Sequence, residues 1–213
     1  MQSTRKRSAS VHPIERAPLN LSPRGVRIVR AAFALFVREG GAAFSARGVA
    51  KEAGVSLGSV QYVFPTKDLL LTGMLEYVLA EYETIYRKVA AELPFNGEAR
   101  LLGVIDHLVA DLWRENTRKF FFNFWALSCH NAFAARLLNA TYEHHRKRIA
   151  AYIGAARSGL SERSCLDLAL QVSALIDGLM IYTGPGRKLV KPDALARMAK
   201  DAVMTLLDSR GAR

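Results

Sequence analysis

Proline is scarce in this chain, seven in 213 residues, and runs of alternating polarity that mark half-buried strands are rare as well. Ala, Leu, Arg and Glu dominate instead, which argues against a sandwich or barrel and predicts an all-α protein. Cysteine is scarcer still. Cys129 and Cys165 lie far apart with no CxxC spacing, so a disulfide framework is not expected, and free thiols in a reduced, cytoplasmic compartment are. No uninterrupted apolar run approaches the ~20 residues that span a bilayer. The basic start MQSTRKRSAS is followed by no apolar h-region, so neither a membrane partner nor a secretory signal is expected. Catalytic signatures are also lacking: there is no HExxH, GxSxG or phosphate-cradling glycine loop. Cys129-His130 and Glu143-His144-His145 form no chelate by themselves, because neighbouring side chains on a helix diverge by about 100°. HHRKR at 144–148 reads as a solvated face, and GPGRK at 184–188, which follows no strand, as a loop. The expectation is a chain without cofactor, metal or enzymatic activity.

What the chain does have is positive charge, unevenly placed. Of the net +11, residues 1–70 carry +7, from 11 Lys/Arg and 4 Asp/Glu; residues 71–213 carry +4 over twice the length. This fits a polyanion-binding N-terminal part joined to a more neutral body. Charge alone does not separate nucleic acid from an anionic membrane.

Residues 1–21 have no periodicity and hold Pro13 and Pro18, which reads as a flexible basic arm. Ser22-Pro23 then has the form of an N-cap followed by proline at the first helical position. Val26, Val29, Ala32, Phe33 and Phe36 follow along one helical face until Gly40-Gly41. Ser45 and Ser56 cap two short helices ending near Glu52 and Val63, and Thr66 caps a long one over 67–92. Further helices are expected over about 98–115, 118–129, 131–157, 161–182 and 193–207, about nine in all. The division is 1–21 arm, 22–70 helix-turn-helix, 71–213 bundle.

In AGVSLGSVQYVF, residues 53–64, Gly54 supplies a backbone that side-chain-bearing residues adopt at a cost, while Val55 plugs the corner and Ser56 caps the next helix. Ser56, Leu57, Ser59, Gln61 and Tyr62 are left facing outward, as on a short recognition helix in a major groove. The bland alternative is a packing corner; the basic surroundings and Tyr62, Thr66 and Lys67 just beyond the helix favour DNA. The stretch from Arg27 to Leu70 also resembles the DNA-binding domain of TetR-family transcriptional regulators. The likeness rests on AAFALF at 31–36, Gly40, Phe44, VAKEAGVS at 49–56, GSV at 58–60, Phe64 and TKDLLL at 66–71. It implies an all-helical homodimer that binds a palindromic operator in double-stranded DNA, with a C-terminal bundle holding a small-molecule effector. By position, Ser45 and Arg47 would touch the backbone or groove edge. Ser56, Leu57, Gly58 and Ser59 would meet bases, and Tyr62 and Lys67 phosphates. Gln61 and Val63 depart from the usual pattern; Gln61 could pair with adenine, but a backbone contact is favoured for it.

The C-terminal part is similar to the subgroup that includes choline-responsive repressors of betaine synthesis, through 122–138 and 174–181. Aromatic residues crowd between Trp113 and Trp125; most are expected to be core, yet such rings also hold quaternary amines. Asp106, Trp113, Phe121, Phe124, Trp125, Cys129, His130 and Asp177 are the candidate ligand residues, in a pocket between the helices at 98–115, 118–129 and 161–182. Ligand binding is expected to turn the helix at 67–92. Leu166, Leu170, Ser173, Ile176, Met180, Leu195, Met198, Val203 and Leu206 give the last two helices wide apolar faces, the candidate dimer surface. A basic helical adaptor and a ligand-independent DNA-binding protein remain as alternatives.

Overall fold

The computed structural model describes residues 21–93, 96–184, 186–187 and 190–211. Residues 1–20 of the arm expected over 1–21 lie outside the described residues, as do residues 94–95, 185 and 188–189. Among the described residues the fold is all helical. The helices are α1 (Pro23–Ala43), α2 (Ala46–Ala53), α3 (Leu57–Val63), α4 (Lys67–Glu92), α5 (Gly97–Asp111), α6 (Glu115–Ser128), α7 (Ala132–Ala156), α8 (Glu162–Met180) and α9 (Pro192–Gly211). A 3-10 turn, Ile181–Thr183, extends α8.

Local chemistry sets the first four helix starts. Gly25, Gly48, Ser59 and Leu69 each donate a backbone N–H to the hydroxyl three residues earlier, on Ser22, Ser45, Ser56 and Thr66, at 3.1–3.2 Å. Each cap satisfies an amide that has no partner inside its helix. At the other end of α2, Gly54 takes φ 62°, ψ 40°, and the amides of Gly54 and Val55 turn back onto the carbonyls of Lys51 and Ala50. That closure lets α3 start two residues later. Gly40, at φ 76°, breaks α1 inside its last turns, where Asn123 of α6 donates to the carbonyls of Phe36 (2.8 Å) and Val37 (3.4 Å).

Two apolar clusters result. The N-terminal one joins α1–α3 and the first turns of α4 through Ile28, Phe36, Val49, Val60, Phe64 and Met74. It does not stop at residue 70: Phe120 and Phe124 of α6 and Leu137 of α7 complete it. The C-terminal cluster packs α5, α7, α8 and α9 through Leu101, Ile105, Ile149, Ile153, Leu168, Val172 and Val203. Phe121 and Trp125 of α6 pack against both.

Two expectations are corrected. The break between α5 and α6 falls at 112–114 rather than after 115, because the Leu112 carbonyl accepts Arg118 Nη1 and Thr183 Oγ1, both at 2.9 Å, instead of a helical amide. The stretch Glu162–Thr183 does reach bilayer-crossing length and hydropathy, mean 1.5. Its scattered polar residues hide this in a search for unbroken runs. In this fold Leu168, Val172 and Ile176 of that stretch are core, and length with composition does not distinguish a core helix from a span.

Candidate functional site

The helix-turn-helix presents one polar face. Ser45, Arg47, Ser56, Gly58, Gln61, Tyr62, Thr66 and Lys67 are exposed, and Tyr62 is 86 % accessible despite its ring. Nothing among the described residues accounts for an aromatic ring left so open. Val60 on the opposite side of α3 is fully buried and holds the helix against α1 and α2. Ser56 and Ser59 hydroxyls lie 3.0 Å apart while Ser56 caps the helix. Leu57 differs from its neighbours: it is half-buried against the N-terminal core, because that core reaches the first turn of α3. Arg38 ties α1 to α2 through Glu52 at 2.8 Å, fixing the reading unit from behind.

A cavity of about 500 Å³ opens among α4, α5, α6, α7 and α8. Of the candidate ligand residues, Phe121 and Asp177 line it. The others do not. Phe124 is fully buried against Phe36 and Phe120, because its side of α6 faces the N-terminal core. Trp125 stands behind the wall and donates its indole N–H to Tyr142 Oη at 2.9 Å. Trp113 packs on the C-terminal core. Asp106 turns away to Lys200 of α9, at 2.9 Å. Cys129 and His130 are exposed where α6 ends. Three residues expected at a dimer surface, Ser173, Ile176 and Met180, line the cavity instead, since their side of α8 turns inward.

The residues that sequence reading missed come from α4 and α7. Tyr82 and Tyr86, one helical turn apart on α4, face Tyr142, His145 and Arg148 on α7. Tyr82 Oη donates to Asp111 Oδ2 at 2.7 Å, and Thr117 donates to the same oxygen at 3.1 Å. Burial and the adjacent Asp111 carboxylate push the Tyr82 phenol well above its usual range. Arg148 lies 4.6 Å from the Tyr86 ring centroid and pairs with Glu83. His145, read as part of a solvated face, is half-buried with Nδ1 2.9 Å from Tyr86 Oη; loss of solvent around the ring first, then His144 and Arg148, lowers its pKa to about 4. Asp177 is hydrogen-bonded to Tyr142, yet burial dominates and raises its pKa to about 6. The four-residue spacing of Tyr82 and Tyr86 along one long helix was the available signal.

The pattern of the bacterial regulatory proteins of the tetR family matches residues 28–74, and that of the BetI-type transcriptional repressor C-terminal domain matches residues 97–208. This chain belongs to the TetR family. It is a DNA-binding transcriptional regulator with a BetI-type C-terminal domain, not an enzyme, and its helix-turn-helix is the DNA-binding element. The HTH-type transcriptional regulator BetI of Vibrio campbellii is 26 % identical over 161 residues, 74 % of this chain and 79 % of that protein. A structure from Pseudomonas aeruginosa PAO1 shares the fold with TM-score 0.74 at 22 % identity, over 91 % of this chain and 93 % of that one. A Saccharomonospora viridis protein in complex with choline gives TM-score 0.66 at 24 % identity, over 84 % and 95 % of the two chains.

Proposed function

We propose that two copies of this TetR-family chain act together in the cytoplasm as a repressor on a palindromic operator, and that a small ligand in the α4–α8 cavity releases them. The observation that carries the reading is α6. One face of this helix, with Phe121, walls the cavity; another, with Phe124 and Asn123, is fastened to α1 of the DNA-binding unit. A displacement at the cavity therefore reaches the DNA-binding helices through one rigid element. The long α4 supplies a second connection: Leu70 and Met74 belong to the N-terminal core, Tyr82 and Tyr86 to the cavity. Release requires only that the ligand favour the arrangement that does not fit DNA.

The second copy is supported by apolar side chains left open on α8 and α9. Leu170 is 56 % and Met198 57 % exposed, with Leu166 and Leu206 half-buried beside the C-terminal core. Leu195 and Val203, expected at the same surface, are interior to one chain and do not contribute. Ser56, Gly58 and Ser59 are assigned to base edges, and Ser45, Arg47, Gln61, Tyr62, Thr66 and Lys67 to the backbone. Footprinting the purified protein on DNA from beside its own gene tests the reading. Protection of an inverted repeat with half-sites about one helical turn apart is expected; binding that is only non-specific would overturn it.

A further inference from the structure

We infer that the Tyr142 hydroxyl, shared between Asp177 on the cavity side and Trp125 of α6, is the contact through which the cavity and the DNA-binding unit sense each other. The inference rests on the proposed role of the cavity as effector site and concerns how that site is read. Three phenols line the cavity, those of Tyr82, Tyr86 and Tyr142. Tyr82 ends on Asp111 of α5, which Thr117 and Arg114 hold as well. Tyr86 ends on His145 of α7. Among the described residues, Tyr142 is the one of the three whose hydroxyl bonds α6 directly. It accepts the Trp125 indole N–H at 2.9 Å and is hydrogen-bonded in turn to Asp177 of α8. With Trp125 donating and the Asp177 carboxylate accepting, the hydroxyl is used in both of its roles.

The position of Trp125 gives this chain of bonds its reach. Its ring lines no part of the cavity and packs against both apolar clusters. Asn123, two residues earlier, donates to the Phe36 carbonyl of α1, and Phe124 between them is buried in the N-terminal core. Residues two apart on a helix keep a fixed separation, about 3 Å along the axis, so a shift of Trp125 carries Asn123 and Phe124 with it. An occupant whose polar group takes Asp177 from Tyr142, or takes the hydroxyl itself, turns the Tyr142 ring. Trp125 then loses its acceptor, which is unfavourable for an indole N–H shielded from water, or follows the hydroxyl by moving α6. Asp111 is harder to exchange, because two hydroxyls and the Arg114 guanidinium hold it together. The intact chain belongs to the arrangement in which α6 is seated on α1, so breaking it weakens operator binding.

The test follows the indole N–H resonances of the full chain, isotope-labelled at tryptophan, together with operator affinity, above neutral pH. The chain has two tryptophans. Trp113 Nε1 is buried with no hydrogen-bond partner among the described residues while Trp125 Nε1 is bonded, so the signals should separate, and Trp113→Phe assigns them. Tyr142→Phe keeps the ring and removes the hydroxyl. It should move the Trp125 signal and lower operator affinity about three- to tenfold, with unfolding still cooperative. Asp177→Ala, on α8 and away from the DNA-binding helices, should move the same signal and weaken operator binding in the same range. Added to Tyr142→Phe it should cost less than about twofold more, since both act through one hydroxyl. In the wild-type chain, operator DNA should itself shift the Trp125 signal, because coupling between two sites is reciprocal. A Trp125 signal indifferent to Asp177→Ala, effects of the two substitutions that simply multiply, or specific operator binding that leaves the wild-type signal in place would each overturn the inference. The wild-type titration decides even where a variant folds poorly. Absence of specific operator binding refutes the repressor reading instead, and the Asp177→Ala shift, read without DNA, still tests the chain from the cavity to α6.

Discussion

The two halves of the molecule use helices differently. In α1–α3 each helix has one inward face and one outward face, so burial and exposure separate cleanly: Val49 and Val60 are fully buried while Tyr62 is almost fully open. In the C-terminal bundle a single helix serves several surfaces. Along α8, Leu168 and Val172 are core, Ile176 and Asp177 wall the cavity, and Leu170 faces outward. The first arrangement holds a rigid reading head. The second surrounds a space with side chains that face more than one way, which suits a region whose packing has to respond to an occupant.

Substitutions where the halves meet should blur that contrast most. Phe36 is fully buried at the centre of the ring cluster with Phe44, Phe120 and Phe124. Phe36→Ala should cost about 3–5 kcal/mol, read as a lower denaturant midpoint, and should loosen α1 and α6 together. Asn123→Ala removes the bond to the Phe36 carbonyl near the Gly40 break. About 1–3 kcal/mol of stability should go with it. The sharper readout is operator affinity with and without effector: DNA binding should survive while its response to ligand shrinks. An unchanged response would place the coupling in α4 instead.

This division also explains what the sequence made legible. Caps, a left-handed glycine and a hydrophobic plug are local devices, so Ser45, Gly54, Ser56 and Val60 announce the helix-turn-helix by spacing alone. A cavity has no such local mark. Trp125 and Phe124 looked like ligand residues because they are aromatic and clustered, but the rotation of α6 sends Phe124 into the N-terminal core and Trp125 onto Tyr142. Conversely, His145 sits in a run of charged residues and is half-buried all the same, because Tyr86 of α4 packs against it. Which face of a helix meets which neighbour is decided by packing between segments distant in the chain, and periodicity cannot assign it when most faces are apolar.

Two half-buried titrating groups make the C-terminal half sensitive to acid in opposing ways. Burial raises Asp177 from 3.8 to about 6, so the folded chain holds this proton more tightly than the unfolded one. Its contribution is present below pH 3.8 and is lost as pH rises through 6. His145 is lowered from 6.5 to about 4, so its contribution is present above pH 6.5 and is lost as pH falls through 4. Tyr142 faces Asp177, and Tyr86, His144 and Arg148 surround His145. Asp177→Asn should therefore gain stability relative to wild type as pH rises from about 4 to 6. His145→Gln should gain relative to wild type as pH falls from about 6.5 to 4. Melting temperatures across that window check both, and parallel curves for the two variants would contradict the assigned shifts.

Tyr62 offers the smallest effect on the fold. Its ring is 86 % exposed and packs on neither core, so Tyr62→Ala should shift unfolding by no more than about 0.5 kcal/mol. Operator affinity should nevertheless fall at least about tenfold, while Tyr62→Phe separates the two ways the ring can act. If the hydroxyl bonds a phosphate, phenylalanine behaves like alanine; if the ring packs on the sugar backbone, phenylalanine keeps most of the affinity. The same replacement should leave ligand binding in the cavity untouched, because Tyr62 belongs to α3 and the cavity to α4–α8. A Tyr62 variant that binds the operator normally would remove the end of α3 from the DNA contact, however well the remainder of the turn is built.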